Sequence, residues 1–254
     1  MSEFLELYEE LRGHMESIYN KFLKKHNSNP LSTPEEYSED VKAYCILAHA
    51  YLEEYVEEIT AQVRDKSIEL WFSKEQKITR PLLTLLSYSN QRLDLLTEKE
   101  KTPYQSVFTR LKTALESAKA QLSTEIYNNH GASEPYLRKL LGPVSIDISQ
   151  EPKLMDSLSK LAKARGSYAH KNAKKTLSPE DAKKCVEDCL ELSQDIERKA
   201  FIIFDTEENY TCIKKKLAIN KLSISLTSLI MKKNIQEVNR SKKLGPSCLK
   251  LSKI

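Results

Sequence analysis

The sequence predicts an all-α protein, on three observations. Apolar residues recur at spacings of three and four along most of residues 3–204, the period of amphipathic helices. Glycine occurs only 5 times and proline 9 times in 254 residues, so helices have few interruptions. Two helix starts are written out in full, Thr33-Pro34-Glu35-Glu36 and Ser178-Pro179-Glu180-Asp181. In each, a hydroxyl residue caps, proline takes the first helical position and carboxylates meet the helix dipole.

The first helix is expected from Glu3 to about Lys25, with Phe4, Tyr8, Leu11, Met15, Ile18 and Phe22 on one face. Residues 26–33 are polar and turn-rich, hence a loop. Thr33 and Glu36 form a capping box. The long helix behind it has Val41, Cys45, Ala48, Leu52, Tyr55, Ile59 and Val63 as its buried stripe. A break is expected over Trp71–Thr79, then a shorter helix from Pro81 through Leu95. Pro103 opens the next, which runs to about Tyr127 with Phe108, Leu111, Leu115, Ala118, Leu122 and Ile126 inward. Asn128-Asn129-His130-Gly131 stops it, because Asn and Gly tolerate the left-handed conformation of a helix end. Ser133 caps a short helix that Gly142-Pro143 ends, and Val144–Ser149 reads as a brief extended segment. Glu151 to Arg165 is a helix with Leu154, Leu158 and Leu161 on its stripe, and one more step of four places Arg165 on the same line. The last body helix passes Cys185, Cys189, Leu192, Ile196 and Ala200 to about Phe204. One further helix fits near Leu217–Leu229, and beyond Asn234 the composition reads as disordered.

Charge divides the chain more sharply than hydropathy does. The net charge is +4, yet residues 211–254 carry 11 of the 40 Lys+Arg and one of the 36 Asp+Glu. The extension is therefore +10 and the body −6. Such a tail suits electrostatic contact with RNA phosphates, and equally a basic extension with no dedicated partner. The division expected is an N-terminal helix packed on the bundle (1–32), a helical domain (33–210) and a basic, partly disordered C-terminal extension (211–254). Five scattered cysteines (45, 185, 189, 212 and 248) make no disulfide framework. The acidic, amphipathic N-terminus is no signal peptide, and no apolar run reaches the roughly 20 residues of a membrane span. The expectation is a reduced, soluble, cytoplasmic protein.

Motifs for familiar chemistries are absent: there is no phosphate-binding glycine loop and no HExxH. Cys185 and Cys189 lie one turn apart without a histidine nearby, so they read as core thiols. His14, His26 and His49 stand apart and read as surface or boundary residues. His49 and Glu53, at i and i+4 on the long helix, form a candidate hydrogen-bonded pair.

The remaining constellation is Arg165-Gly166-Ser167-Tyr168-Ala169-His170. An arginine and a histidine with four residues between them, at the end of a helix, resemble the signature of the HEPN superfamily. With HAYLEEYVEEI at 49–59 and NNHG at 128–131 it is similar to the RiboL-PSP branch, over about residues 40–203. The resemblance implies a HEPN-like helical bundle with an extra N-terminal helix and a basic C-terminal extension. It also implies a metal-independent endoribonuclease, without cofactor, acting on RNA as a homodimer. The implied setting is toxin–antitoxin or antiviral (phage) defence, with a cognate antitoxin protein as a further partner.

The residue types suit that chemistry. Arginine stays charged and offers a fork of donors to phosphate oxygens; histidine moves protons near neutrality. Arg165 and His170 are thus the candidate catalytic pair. Supporting candidates are Tyr168, for stacking or packing, and Ser167 beside it. Lys171 with Lys174 and Lys175, and Asn172, would meet the backbone, and Asn129 with His130 forms a second patch. In a straight helix, positions five apart point about 140° from one another. Gly166 is therefore expected to end the helix and let His170 turn back. HEPN nucleases often carry Asn, Asp or His where Gly166 stands. That departure keeps open a catalytically inactive HEPN module for RNA or nucleotide binding or for dimerisation. Read without the resemblance, Arg165 can simply serve a helix C-terminus and His170 a loop, in an unrelated helical interaction protein.

Overall fold

The computed structural model describes residues 3–27, 33–74, 76–89, 107–169 and 177–205. Among them every regular element is helical, and the all-α expectation holds. The extension 211–254, its candidate helix, Cys212 and Cys248 lie outside the described residues, as does the expected helix start at Pro103.

Helix α1 (Glu3–Ile18) passes through one π-helical turn (Tyr19–Leu23) into α2 (Lys24–Asn27). A wide turn rotates every later side chain around the axis. Leu23 is accordingly the fully buried residue there, while Phe22, the expected one, is only half-buried. Helix α3 (Pro34–Phe72) is the spine. Its 39 residues run roughly 58 Å, at 1.5 Å each, and it packs against α1 and against every helix described below. The Thr33 N–H donates to the Glu36 carboxylate at 3.2 Å, the return half of the expected capping box.

The chain breaks at Ser73, as expected, and Thr79 caps α4 (Arg80–Tyr88) by accepting from the Leu82 N–H. This helix stops well short of Leu95, because Ser89 takes an extended backbone. Helix α5 (Val107–Tyr127) buries Ala114, Leu115, Ala118 and Leu122. Phe108, expected in its core stripe, is 51% exposed and meets Phe72 edge-on instead. The α5 end needs no left-handed residue: Asn128 and Asn129 donate back to the Thr124 and Ile126 carbonyls, and Gly131 keeps a negative φ. Ser133 precedes α6 (Glu134–Leu141) in the cap position, but its hydroxyl makes no cap bond. A 3-10 turn (Gly142–Val144) follows, and Ser145 alone there takes a left-handed φ of 60°. Ile146 and Ile148 are then buried around exposed Asp147, an alternation without a strand.

Helices α7 (Pro152–Ala169) and α8 (Pro179–Asp205) pack on each other and on α3. Ser178 caps α8 by accepting from the Asp181 N–H at 3.0 Å. Leu154, Leu158 and Leu161 enter the core, as do Cys189, Leu192 and Ile196. A polar clamp joins the two helices: the Ser157 hydroxyl and Lys153 both reach Asp188, at 2.6 and 2.9 Å. Burial works against the Asp188 charge, but these two donors outweigh it and hold the carboxyl below its ordinary range. Cys45, Cys185 and Cys189 are free and buried, and burial pushes the Cys45 thiol up to about 12. They are packing residues, not nucleophiles. Among the described residues no helix is long and apolar enough to cross a membrane.

Candidate functional site

One face of α3 carries His49, Glu53 and Glu57 at successive steps of four. The loop between α5 and α6 lies across this face and is tied to it twice. The Asn129 side-chain amide donates to Glu57 Oε1 at 2.8 Å, and the Ala132 backbone N–H donates to His49 Nε2 at 3.1 Å. His49 is 3% exposed. Because Nε2 accepts, the neutral ring carries its proton on Nδ1. That nitrogen is buried without a hydrogen-bond partner and looks toward Glu53 Oε2, 3.8 Å away, too far to close the bond.

Helix α7 brings Arg165 to the same place. Its guanidinium acts on both members of the pair. Burial first, and then the charge of Arg165, drive His49 down to about 4, so it stays neutral at ordinary pH. Burial and the neighbouring Glu57 raise the Glu53 carboxyl, while Arg165 and His130 pull it the other way. Arg165 is half-buried and makes no hydrogen bond or ion pair with any described residue. His130 is exposed and Asn129 is 9% exposed. Beside these groups opens a groove of about 520 Å³ between α3 and the end of α5, with Tyr127 on its rim.

Five of the expected residues, Arg165, His49, Glu53, Asn129 and His130, therefore share one site built from three distant segments. Ser167 is exposed, and its hydroxyl donates to the Ala164 carbonyl at 3.0 Å, within its own helix. Tyr168 is helical, and its side chain lies outside the described residues, as do His170, Lys171, Asn172, Lys174 and Lys175. The expected helix stop at Gly166 is corrected. Helix α7 runs straight through it to Ala169, and a Cβ added there would meet nothing within 4 Å. One glycine costs a helix about 0.5–1 kcal/mol, which a turn flanked by helix-compatible residues absorbs. The turn that would bring His170 back is thus not made at Gly166.

Two residues were missed from the sequence. Glu57 extends the His49–Glu53 spacing by one more step of four, a signal that was readable. Tyr127, 86% exposed, had none: it sits one residue past the stripe of α5, and only the groove gives it meaning.

The family model RiboL-PSP-HEPN matches residues 13–200, from within α1 to near the end of α8. No curated protein and no solved structure matches the chain.

Proposed function

The chain belongs to the RiboL-PSP-HEPN family, and from that premise we propose that it is a metal-independent endoribonuclease acting as a homodimer. The observation that carries this reading is Arg165: a guanidinium left without a protein partner among the described residues, beside a buried histidine and a carboxylate. Such a group is ready for an external anion, and RNA supplies one at every linkage. The ribose 2′-OH attacks the adjacent phosphorus, its proton passing to a base. The 5′-oxygen leaves with a proton from an acid, and a 2′,3′-cyclic phosphate remains. Arg165 stabilises the charge that builds on the phosphate, and His170 handles protons. Two copies of the motif across a dimer cleft supply one proton acceptor and one donor. A toxin–antitoxin or antiviral-defence role, with a cognate antitoxin as partner, accords with such an activity.

Gly166 favours a second reading, a HEPN module that binds RNA or nucleotide, or dimerises, without cleaving. Open space lies beside its Cα where a polar side chain would otherwise sit. Incubation of RNA in excess EDTA with wild type, Arg165→Ala and His170→Ala separates the two. Cleavage by wild type alone supports the enzyme. A wild type that binds and dimerises without cleaving supports the module.

A further inference from the structure

Building on the ribonuclease reading, we propose that the groove between α3 and the end of α5 is a base-binding subsite that selects guanine next to the scissile phosphate. The groove is lined by the carboxylates of Glu53, Glu54 and Glu57, beside the apolar Ile126 and the aromatic Tyr127. Glu57 is aimed by Asn129, which occupies Oε1 at 2.8 Å; Oε2 accepts nothing from a described residue. Glu53, one turn away, makes no hydrogen bond with a described residue, and the buried His49 Nδ1–H points toward it without reaching it. Burial first, and then the charge of the neighbouring Glu57, raise the Glu53 carboxyl, so its charged form is held at a cost. What relieves it is a ligand that brings donors.

The flank of the site narrows the choice of ligand. Arg165 and His130 stand on it, so the site is bipolar. A phosphate in the groove would meet the like charges of three carboxylates, and a lysine or arginine of a protein partner would meet Arg165. A nucleotide fits both halves, with its anionic phosphate toward Arg165 and its base in the groove. Among the bases, guanine presents two adjacent donors, N1–H and the 2-amino group, the spacing a carboxylate accepts in parallel. Adenine and cytosine set one amino group beside a ring acceptor, and uracil places its N–H between two carbonyls. Tyr127 on the rim offers the aromatic face on which an unstacked base rests.

The test is binding, measured apart from cleavage. RNA tetranucleotides carrying a 2′-deoxy sugar at the scissile position, and differing in one base, are titrated against the full chain by fluorescence anisotropy. Guanine is expected to bind about tenfold more tightly than the other three. Inosine, which lacks the 2-amino group, is expected to lose most of that margin. Glu57→Gln and Tyr127→Ala, both at solvent-reached positions, should abolish the preference with melting temperatures unchanged. Equal binding of the four bases, no binding at all, or a preference that survives both substitutions overturns the subsite. So does capture in the groove of an arginine-rich peptide in preference to RNA. Cleavage in EDTA with no base preference would sink this inference and spare the ribonuclease reading. Guanine-selective binding without cleavage would do the reverse.

Discussion

Arg64 and Arg165 are two arginines of one body with opposite fates. Arg64, 6% exposed on α3, has all its reach taken up inside the protein. Its fork meets both oxygens of Asp65, at 2.8 and 3.0 Å, and its remaining nitrogen donates to the Ser123 hydroxyl at 2.8 Å, which ties α3 to α5. Arg165 is more open and has no described partner, although Glu53 is near enough to sense its charge. The histidines repeat the contrast. His26 closes on Asp40 at 2.8 Å, whereas His49 stops at 3.8 Å from Glu53. A satisfied charge stabilises a fold; a charge left short of its partner is available to a ligand.

The largest expected effect breaks this comparison on the functional side. Arg165→Ala should lower RNA cleavage by about 10²–10³-fold, the cost of losing one transition-state donor, with little change in melting temperature. A melting temperature that falls with the activity would put Arg165 in the same class as Arg64. Next comes the pH dependence that His49 imposes. Its folded value of about 4 lies below the ordinary 6.5, so the unfolded chain takes up the proton first. The stability this gives is complete above about pH 6.5 and is lost as the pH falls toward 4, by up to about 3 kcal/mol. Glu53, raised by burial, takes up its proton earlier in the folded state and offsets part of that loss. Urea midpoints of wild type and His49→Gln between pH 7 and pH 4.5 should therefore converge as the pH falls; parallel curves would refute the buried neutral ring.

Arg64→Ala is the converse of the first experiment. It should cost about 2 kcal/mol, some 4–8 °C in melting temperature, while cleavage per folded molecule is preserved. Asp65 keeps Lys119 at 3.0 Å, so the loss stays moderate. The smallest effect sharpens the correction at Gly166. Because α7 is helical there and a Cβ meets nothing, Gly166→Ala should stabilise by about 0.5–1 kcal/mol, seen as a small rise in melting temperature. A destabilised Gly166→Ala would show that glycine is needed for its backbone after all.

Much of the site was legible because its segments carry local marks. The i, i+4 spacing announced His49 and Glu53, and the stripe through Leu154, Leu158 and Leu161 announced Arg165. The errors came where a local rule met a longer-range balance. Gly166 reads as a stop by composition, yet the rest of α7 carries the helix across it. Phe108 fits the period of α5, but it stays largely exposed and meets Phe72 edge-on. The π-helical turn has no sequence signature, and it moved burial from Phe22 to Leu23.

By itself the sequence determined the class of the fold, the capped starts at Thr33 and Ser178 and the family, since periodicity, caps and short motifs are local and are written residue by residue. Only the tertiary structure decided that residues 49–57, 129–132 and 165 form one site, that His49 is neutral, and that its bond to Glu53 stays open. The shared site and the neutral His49 are properties of distance and burial between segments more than 30 residues apart in the chain, and the open His49–Glu53 bond is one of side-chain geometry that the i, i+4 spacing alone does not fix.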